Sequence, residues 1–546
     1  MIRELRVYGF RILQEFIWKP KEGLNILVGA NSAGKSTVLD AIELVTQGSM
    51  RGQNARRALS PDWFNQANVV NFFTQLQNSD TKTVDPPEIK IVIIFSKEPE
   101  LAKIIGCNGP DGAIKEDPGL YLTYRVSPEL QVQFLDECKN ILNNKEPFVL
   151  PIDYYEFSWH TFQGSAIIRH PSDIYCSRID TTPEQNPRLV DHYAKRYIQN
   201  EVEDKTLRRI NSEFRRLFSN IDSTVLSEIP LECSDSRKLG FQVDKSPRTD
   251  WLNSVILHKN NLPLYALGSA EQTIAKCIVS FNRIKKESFI LLEEPECHLS
   301  HTYLQELISI IENQTISERQ IFITTHSPFV LNRLGLDKLS IINNGNSPHL
   351  ITDLSDETSN YFRKLSGYDT LRLVLAHKAV LVEGPSDEMV FNWAFRKIHD
   401  KLPQDYGIDV IECGTQHKRL LELAHSVNKD WIAALRDNDG KEPAYWTNRL
   451  NEYLSDKRQF FCGSPEAGYT LEPQMIYANE ENLDKLATLI GTTFSSKPEL
   501  ENYMRNHKTE WALQLLDAKK DESNSLNIPP YIREAINFIN PIDNEE

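Results

Sequence analysis

This sequence predicts an α/β protein of more than one domain, and three patterns support that reading. The strand-like run Leu24-Asn25-Ile26-Leu27-Val28 opens into a glycine-framed loop followed by a helical run. Two apolar runs late in the chain, Ala379-Val380-Leu381-Val382 and Trp431-Ile432-Ala433-Ala434-Leu435, each deliver carboxylates at their ends. At 546 residues the chain exceeds what one hydrophobic core organises, so about two to four domains are expected.

Composition narrows the setting. A hydrophobic content of 40% with 25% charged residues is ordinary for a globular protein, and no apolar run approaches the length of about 20 residues that a membrane helix needs. Met1 to Val7 lacks the apolar stretch of a secretory signal, so a cytoplasmic protein with no membrane partner is expected. The eight cysteines are scattered without zinc-knuckle or redox-pair spacing, which predicts reduced structural thiols. A net charge of -15 excludes a chain coated in nucleic-acid-binding surface, and DNA or RNA would need a local groove. Arg51 with Arg56 and Arg57, and the run from Lys205 through Arg208 and Arg209 to Arg215 and Arg216, are candidates to line one; solvated helix faces are the alternative.

The amino-terminal loop reads Gly29-Ala30-Asn31-Ser32-Ala33-Gly34-Lys35-Ser36-Thr37. Strand, glycine-framed loop and helix in that order aim backbone N–H groups at a phosphate. The loop from Gly29 and Asn31 through Gly34 to Thr37 would cradle ATP, Lys35 would neutralise the β- and γ-phosphates, and Ser36 would ligate Mg²⁺. Downstream, Phe289-Ile290-Leu291-Leu292 ends in Glu293-Glu294-Pro295-Glu296. Carboxylates at a strand end can hold a magnesium shell and polarise an attacking water, the roles given to Glu293 and Glu294 respectively. Leu267-Gly268-Ser269-Ala270 is a small-residue turn opening a helix, and Ile321 to Thr325 is a strand followed by His326. His298 and His301, near the glutamates, read as structural.

In this order the motifs resemble ABC-type ATPases of the SMC and RecF kind, over about residues 1–365. The resemblance implies that Ser269 reaches a γ-phosphate bound by another subunit, that His326 senses it, and that the protein works as a homodimer or larger homo-oligomer. Ala270 stands where the family usually has glycine. A glutamine contact to the metal is also implied, with Gln75 and Gln77 both candidates. The domain reading is ATPase first part at 1–165, a helical insertion at 166–245, and ATPase second part at 246–365. Within the insertion, Leu207, Ile210, Phe214 and Leu217 recur at three- and four-residue steps, which predicts an amphipathic helix used for packing or as a subunit interface.

Behind the first late strand stand Glu383-Gly384-Pro385-Ser386-Asp387, and behind the second Asp437-Asn438-Asp439. On an extended chain alternate residues face the same way, which would pair Asp437 with Asp439. Oxygen-rich sets of this kind suit Mg²⁺ or Mn²⁺, and two ions about 4 Å apart can steady both the attacking and leaving oxygens of a phosphodiester. Glu388 is an alternative to Asp387. This part, about residues 376–475 in a carboxy-terminal domain at 370–546, resembles a Toprim (Rossmann-like) domain. An amino-terminal ABC ATPase joined to a Toprim domain resembles the OLD (overcoming lysogenization defect) family of nucleases. That resemblance adds Glu472 to Glu383, Asp387, Asp437 and Asp439 as metal ligands, and gives Lys508 the charge developing on the phosphate; a helix cap and a surface lysine are the alternatives.

The resemblance implies an ATP-regulated, metal-dependent DNA endonuclease in bacterial antiviral defence, with a partner protein or retron nucleic acid encoded beside it. The alternatives are an SMC- or RecF-like DNA clamp without nuclease activity, and a topoisomerase or primase. A zinc-binding cysteine set and a tyrosine-bearing DNA-gate segment, expected of the last two, are missing from the sequence.

Overall fold

The computed structural model describes residues 1–78, 84–107, 109–110, 116–168, 171, 174–181, 195, 198, 202–224, 251–281, 288–297, 299–314, 319–350, 354–364, 370–519 and 523–541. They form two compact units, Met1–Thr325 with Ile342–Pro348, and His326–Ile341 with His349–Glu546. The first ends earlier than position 365, and both are α/β, as expected.

In the first unit β1 (Ile2–Phe10) and β2 (Leu13–Trp18) form a hairpin, and β3 (Leu24–Val28) leads through the glycine-framed loop into α1 (Lys35–Gln47). β4 (Ile89–Phe95), β5 (Asp117–Val126) and β6 (Tyr155–Thr161) extend the hairpin, since β1 pairs with β4, β4 with β5, and β5 with β6, all antiparallel. β7 (Tyr175–Asp180) belongs elsewhere. Together with β8 (Ser288–Glu293) and β9 (Gln320–Thr324) it builds a parallel sheet in the order β7-β8-β9-β3. Parallel strands covered on both sides read as continuous apolar runs, which is why β3 and β9 are buried at every position. Val38, Leu39, Ala41 and Ile42 of α1 join one core with Leu5, Val7, Ile91 and Ile93 from the antiparallel sheet and Leu291 and Phe322 from the parallel one. Gln320, 1% exposed, accepts from the Ile2 N–H at 2.7 Å and donates to the Ile2 and Lys21 carbonyls, tying the sheets together.

The segment 166–245, expected to be helical, contributes β7 to the ATPase sheet. Ser177 and Arg178 hide the strand from a hydrophobicity reading; Arg178 is tolerated there because carboxylates meet it. The amphipathic helix is present as α2 (Asp204–Thr224), with Leu207, Ile210 and Phe214 half-buried and Leu217 exposed. α3 (Ser269–Phe281) precedes β8.

The second unit contains a parallel sheet of β10 (Lys378–Val382), β11 (Ile408–Glu412), β12 (Ile432–Leu435) and β13 (Arg458–Phe461), ordered β11-β10-β12-β13. α4 (Pro385–His399) and α5 (His417–Ser426) alternate with these strands; α6 (Leu471–Ala478), α7 (Lys508–Asp517) and α8 (Pro530–Ile539) follow. Val380, Val382, Ala433 and Leu435 share a core with Phe391, Trp511 and Ile536 of the helices. Among the described residues no helix is long and apolar enough to cross a membrane.

Candidate functional site

The first site grows from β3. A Cβ on Gly29 would lie 2.5 Å from the Ile342 carbonyl oxygen, and Gly34 makes the left-handed step into α1 at φ 107°, so both positions need glycine. Lys35 opens α1 and its Nζ donates to the Gly29 and Ala30 carbonyls at 3.0 and 3.1 Å. Burial lowers its pKa against the pull of Glu294, Glu296 and Glu293, so these three carboxylates all act on one ammonium. Ser36 is half-buried, Thr37 buried and Asn31 exposed.

Glu293 ends β8, and Glu294 follows at φ 41°, an uncommon conformation for a residue before proline. Its N–H is anchored to the Thr324 carbonyl at 2.9 Å. Backbone strain held in this way concentrates at functional positions. Thr181 and Cys297, which sequence reasoning missed, also touch the site: Thr181 Oγ1 donates to the Glu293 carbonyl at 3.0 Å, and the Cys297 thiol to Glu294 Oε2 at 3.5 Å. Ser269 is the first residue of α3, where free N–H groups favour an anion. His326 comes two residues past β9, at the start of the second unit. Gln75 and Gln77 are both exposed on the helix Gln66–Asn78, and His298 lies outside the described residues.

The basic cluster reading changes at Arg51. Its Nε lies 3.2 Å from Asp40 Oδ1 and its Nη2 3.5 Å from Glu293 Oε2, so this side chain, 54% exposed, is paired with carboxylates of the ATPase unit. Arg56 lies over the Phe157 ring at 5.4 Å.

The second site lies at the carboxyl ends of β10 and β12. Glu383 follows β10, and Gly384 and Pro385 turn the chain into α4, placing Asp387 in its first turn. A carboxylate at a helix N-terminus is ordinarily easy to ionise. Here burial first, and then Glu383 and Glu472, push Asp387 up to about 7. Asp437 is pushed to about 8 by burial and by Asp387, Glu383, Glu472 and Asp439, and Glu383 is raised by burial. Burial and neighbouring carboxylates thus hold Asp387 and Asp437 above the usual carboxylate range. Glu388 faces Glu412 and Arg372 instead, so Asp387 is the member of the pair that joins the cluster.

Glu472, in the first turn of α6, is 2% exposed and accepts from Thr470 Oγ1 at 2.7 Å. Lys508, the first residue of α7, holds its Nζ 3.9 Å from Glu472 Oε1. Asp439 departs from the alternation expected of it. β12 stops at Leu435, Asp439 adopts φ 49°, and its side chain, 54% exposed, pairs with Arg436 Nη2 at 2.9 Å. It sits at the rim because the chain has already turned.

Three further residues organise this site without a sequence signal. Asn438, 1% exposed, donates to the Gly463 and Gly468 carbonyls at 3.0 and 2.8 Å and accepts from the Gly440 N–H at 2.8 Å. Arg436 lies over the Trp446 ring at 3.9 Å, between Glu383 and Asp439. The His417 Nε2 lies 2.8 Å from the Leu435 carbonyl, and burial holds this imidazole near a pKa of about 4, hence neutral and donating to that strand end.

Among the described residues no three carboxylate, imidazole or thiolate side chains already form a coordination shell. The donor set nevertheless fits a divalent ion in chemistry and charge. Four carboxylates repel one another in a partly desolvated place, and Glu383 Oε1 is a buried atom with no hydrogen-bond partner among the described residues.

Comparisons with known proteins find matches in both parts of the chain. The AAA ATPase domain family matches residues 1–331, and the TOPRIM domain of overcoming lysogenization defect protein-like proteins matches residues 374–439. An OLD nuclease of Thermus scotoductus is 23% identical over 450 residues, 76% of this chain and 77% of that protein. The DNA replication and repair protein RecF of Thioalkalivibrio sulfidiphilus is 40% identical over 63 residues, 11% of this chain and 18% of its own. Among solved structures, the SMC head domain from Thermotoga maritima is 12% identical at a TM-score of 0.30, covering 64% of this chain and 99% of its own, a loose superposition. With the AAA ATPase domain family matched across more than half its length, this chain belongs to that family, and the stretch behind it matches the TOPRIM domain of OLD-like proteins.

Proposed function

We propose that the chain is an ATP-regulated, divalent-metal-dependent DNA endonuclease that works as a homodimer or larger homo-oligomer in the cytoplasm, in antiviral defence. The observation that carries this is the cluster of Glu383, Asp387, Asp437 and Glu472, where burial first and then the neighbouring carboxylates raise the pKa of Asp437 to about 8. An acidic group kept at such cost, at the carboxyl ends of parallel strands, is a functional site rather than a structural one. The Thermus relative, named a nuclease, supports the same reaction class.

Magnesium or manganese held there would supply an activated water and neutralise charge on the phosphodiester. The chain's own residues do the rest. Glu383, Asp387, Asp437 and Glu472 would hold the ions, with Asp439 at the rim, and Lys508 would meet the charge that builds on the phosphate oxygens. In the other unit the loop from Gly29 to Thr37 would bind ATP, Ser36 and Glu293 would hold its ion, and Glu294 would take the proton of the attacking water. Ser269 and His326 would report on nucleotide across paired ATPase domains. A defence partner, protein or retron nucleic acid, would be the trigger.

The test is a cleavage assay on plasmid DNA crossing Mg²⁺ or Mn²⁺ with ATP, ADP and no nucleotide. Nicks or breaks that need the metal and respond to nucleotide are expected. Tight DNA binding with no cleavage under any combination favours the SMC- or RecF-like clamp, and relaxation without nicks a topoisomerase.

A further inference from the structure

Arg178 has no role in the reading so far, yet it makes some of the closest ionic contacts in the ATPase unit. It lies in β7, and its side chain is 9% exposed. Nη1 donates to Asp40 Oδ1 and to Glu43 Oε2, the latter at 3.1 Å, and Nη2 donates to Glu293 Oε2. Asp40 and Glu43 belong to α1, the helix that begins at the phosphate loop, and Glu293 is the end of β8. A single guanidinium thus joins the phosphate-loop helix to the strand-end carboxylate.

The surrounding charges balance. Asp40, fully buried, also meets Arg11 Nη1 at 2.5 Å and Arg51 Nε at 3.2 Å, and Glu43 also accepts from the Arg51 N–H at 3.2 Å. Three guanidinium groups therefore face three carboxylates. Asp40 would keep two partners without Arg178, whereas among the described residues Glu293 would keep as its ion pair only the longer approach of Arg51, at 3.5 Å. Both contacts to Glu293 fall on Oε2, so Oε1 takes no part in them. Lysine, a single point charge, cannot span α1 and β8 as the planar fork does. Buried ion pairs contribute little to stability, so a stability role alone is a poor account of this network.

We infer that Arg178 is a positioning residue of the ATPase site: it holds the Glu293 carboxylate by one oxygen, leaving the other to the nucleotide's divalent ion, and couples that carboxylate to the phosphate-loop helix. This rests on the reading of Glu293 as a ligand of that ion. The full-length chain is compared with Arg178→Gln, Arg178→Lys, Glu293→Gln and the double variant Arg178→Gln/Glu293→Gln. Binding of a fluorescent ATP analogue is measured in EDTA and across a Mg²⁺ titration, with melting temperature alongside.

Expected is unchanged affinity in EDTA for Arg178→Gln, with half-saturation in Mg²⁺ raised about tenfold, Arg178→Lys intermediate, and no further shift when Glu293→Gln is already present. Unchanged Mg²⁺ dependence in Arg178→Gln while Glu293→Gln shifts it would overturn the inference alone. If Glu293→Gln itself leaves the Mg²⁺ dependence unchanged, the reading of the site fails first. Equal loss of affinity in EDTA and Mg²⁺ marks a purely structural role and also overturns the inference. Should Arg178→Gln not fold, Arg178→Lys decides by the same comparison, since it keeps the charge.

Discussion

Arg436 Nε stands 3.3 Å from Glu383 Oε1, and neither atom makes a hydrogen bond among the described residues although both are buried. The pair is close enough to attract and too misaligned to satisfy either partner. That places Glu383 in an arrangement that an ion would complete, and the first prediction follows from it.

Asp437→Asn or Glu383→Gln should abolish DNA cleavage and spare ATP hydrolysis, because these carboxylates and the phosphate loop belong to separate units. A loss of about a hundredfold or more is expected where an ion ligand supports the transition state. Wild-type cutting rates in both purified variants would remove the nuclease reading.

Acidity supplies a second test. Asp387 and Asp437, at about 7 and about 8, lie above the ordinary carboxylate value of 3.8. Between these limits the folded chain holds protons that the unfolded chain has released, so stability falls as pH rises through that window. Asp437→Asn removes one of the repelling charges. In EDTA it should be more stable than wild type at about pH 8 by at least about 1 kcal/mol, with the difference gone near pH 5. Metal binding by calorimetry should tighten over the same rise, since ions compete with those protons. A pH-independent difference would contradict the cluster.

At the first site Lys35→Ala should lose nucleotide binding, because the ammonium opposes the phosphates. Glu294→Gln should keep ATP and hydrolyse it about a hundredfold more slowly, since an amide keeps the shape and cannot accept the proton. Equilibrium binding and single-turnover hydrolysis separate the two. Equal hydrolysis in Glu294→Gln and wild type would relocate the base.

Asn438→Ala leaves the Gly440 N–H and the Gly463 and Gly468 carbonyls without the amide that pairs them. A cost of about 1–3 kcal/mol is expected, chiefly from the buried Gly463 carbonyl, since the Gly468 carbonyl keeps the Gln474 amide and Gly440 is exposed, seen as a lower melting temperature of the Toprim unit and a loss of cleavage. A variant that melts and cuts like wild type would show that the loop does not depend on it.

The stretches that carry local pattern were legible from the outset. Gly29 to Thr37, the Glu293-Glu294 strand end, and Glu383 and Asp437 behind apolar strands could be read because each lies in a few residues of continuous chain whose periodicity is itself the signal. β7 was not legible: Arg178 breaks its apolar pattern, and what makes the arginine acceptable is Asp40, 138 residues away. The choice between Asp387 and Glu388 was likewise invisible, because adjacent residues at a helix start differ only in which neighbours they face.

Sequence alone thus determined the order of the two engines and the carboxylates available to each. Tertiary structure alone decided which of those carboxylates share a desolvated place. Asp387 and Glu472, from two other segments, act on Asp437, while Asp439, two residues from Asp437, turns to Arg436. The reason is physical: a side chain's type is written locally, but its charge is felt through the dielectric and the neighbours that the whole fold puts around it.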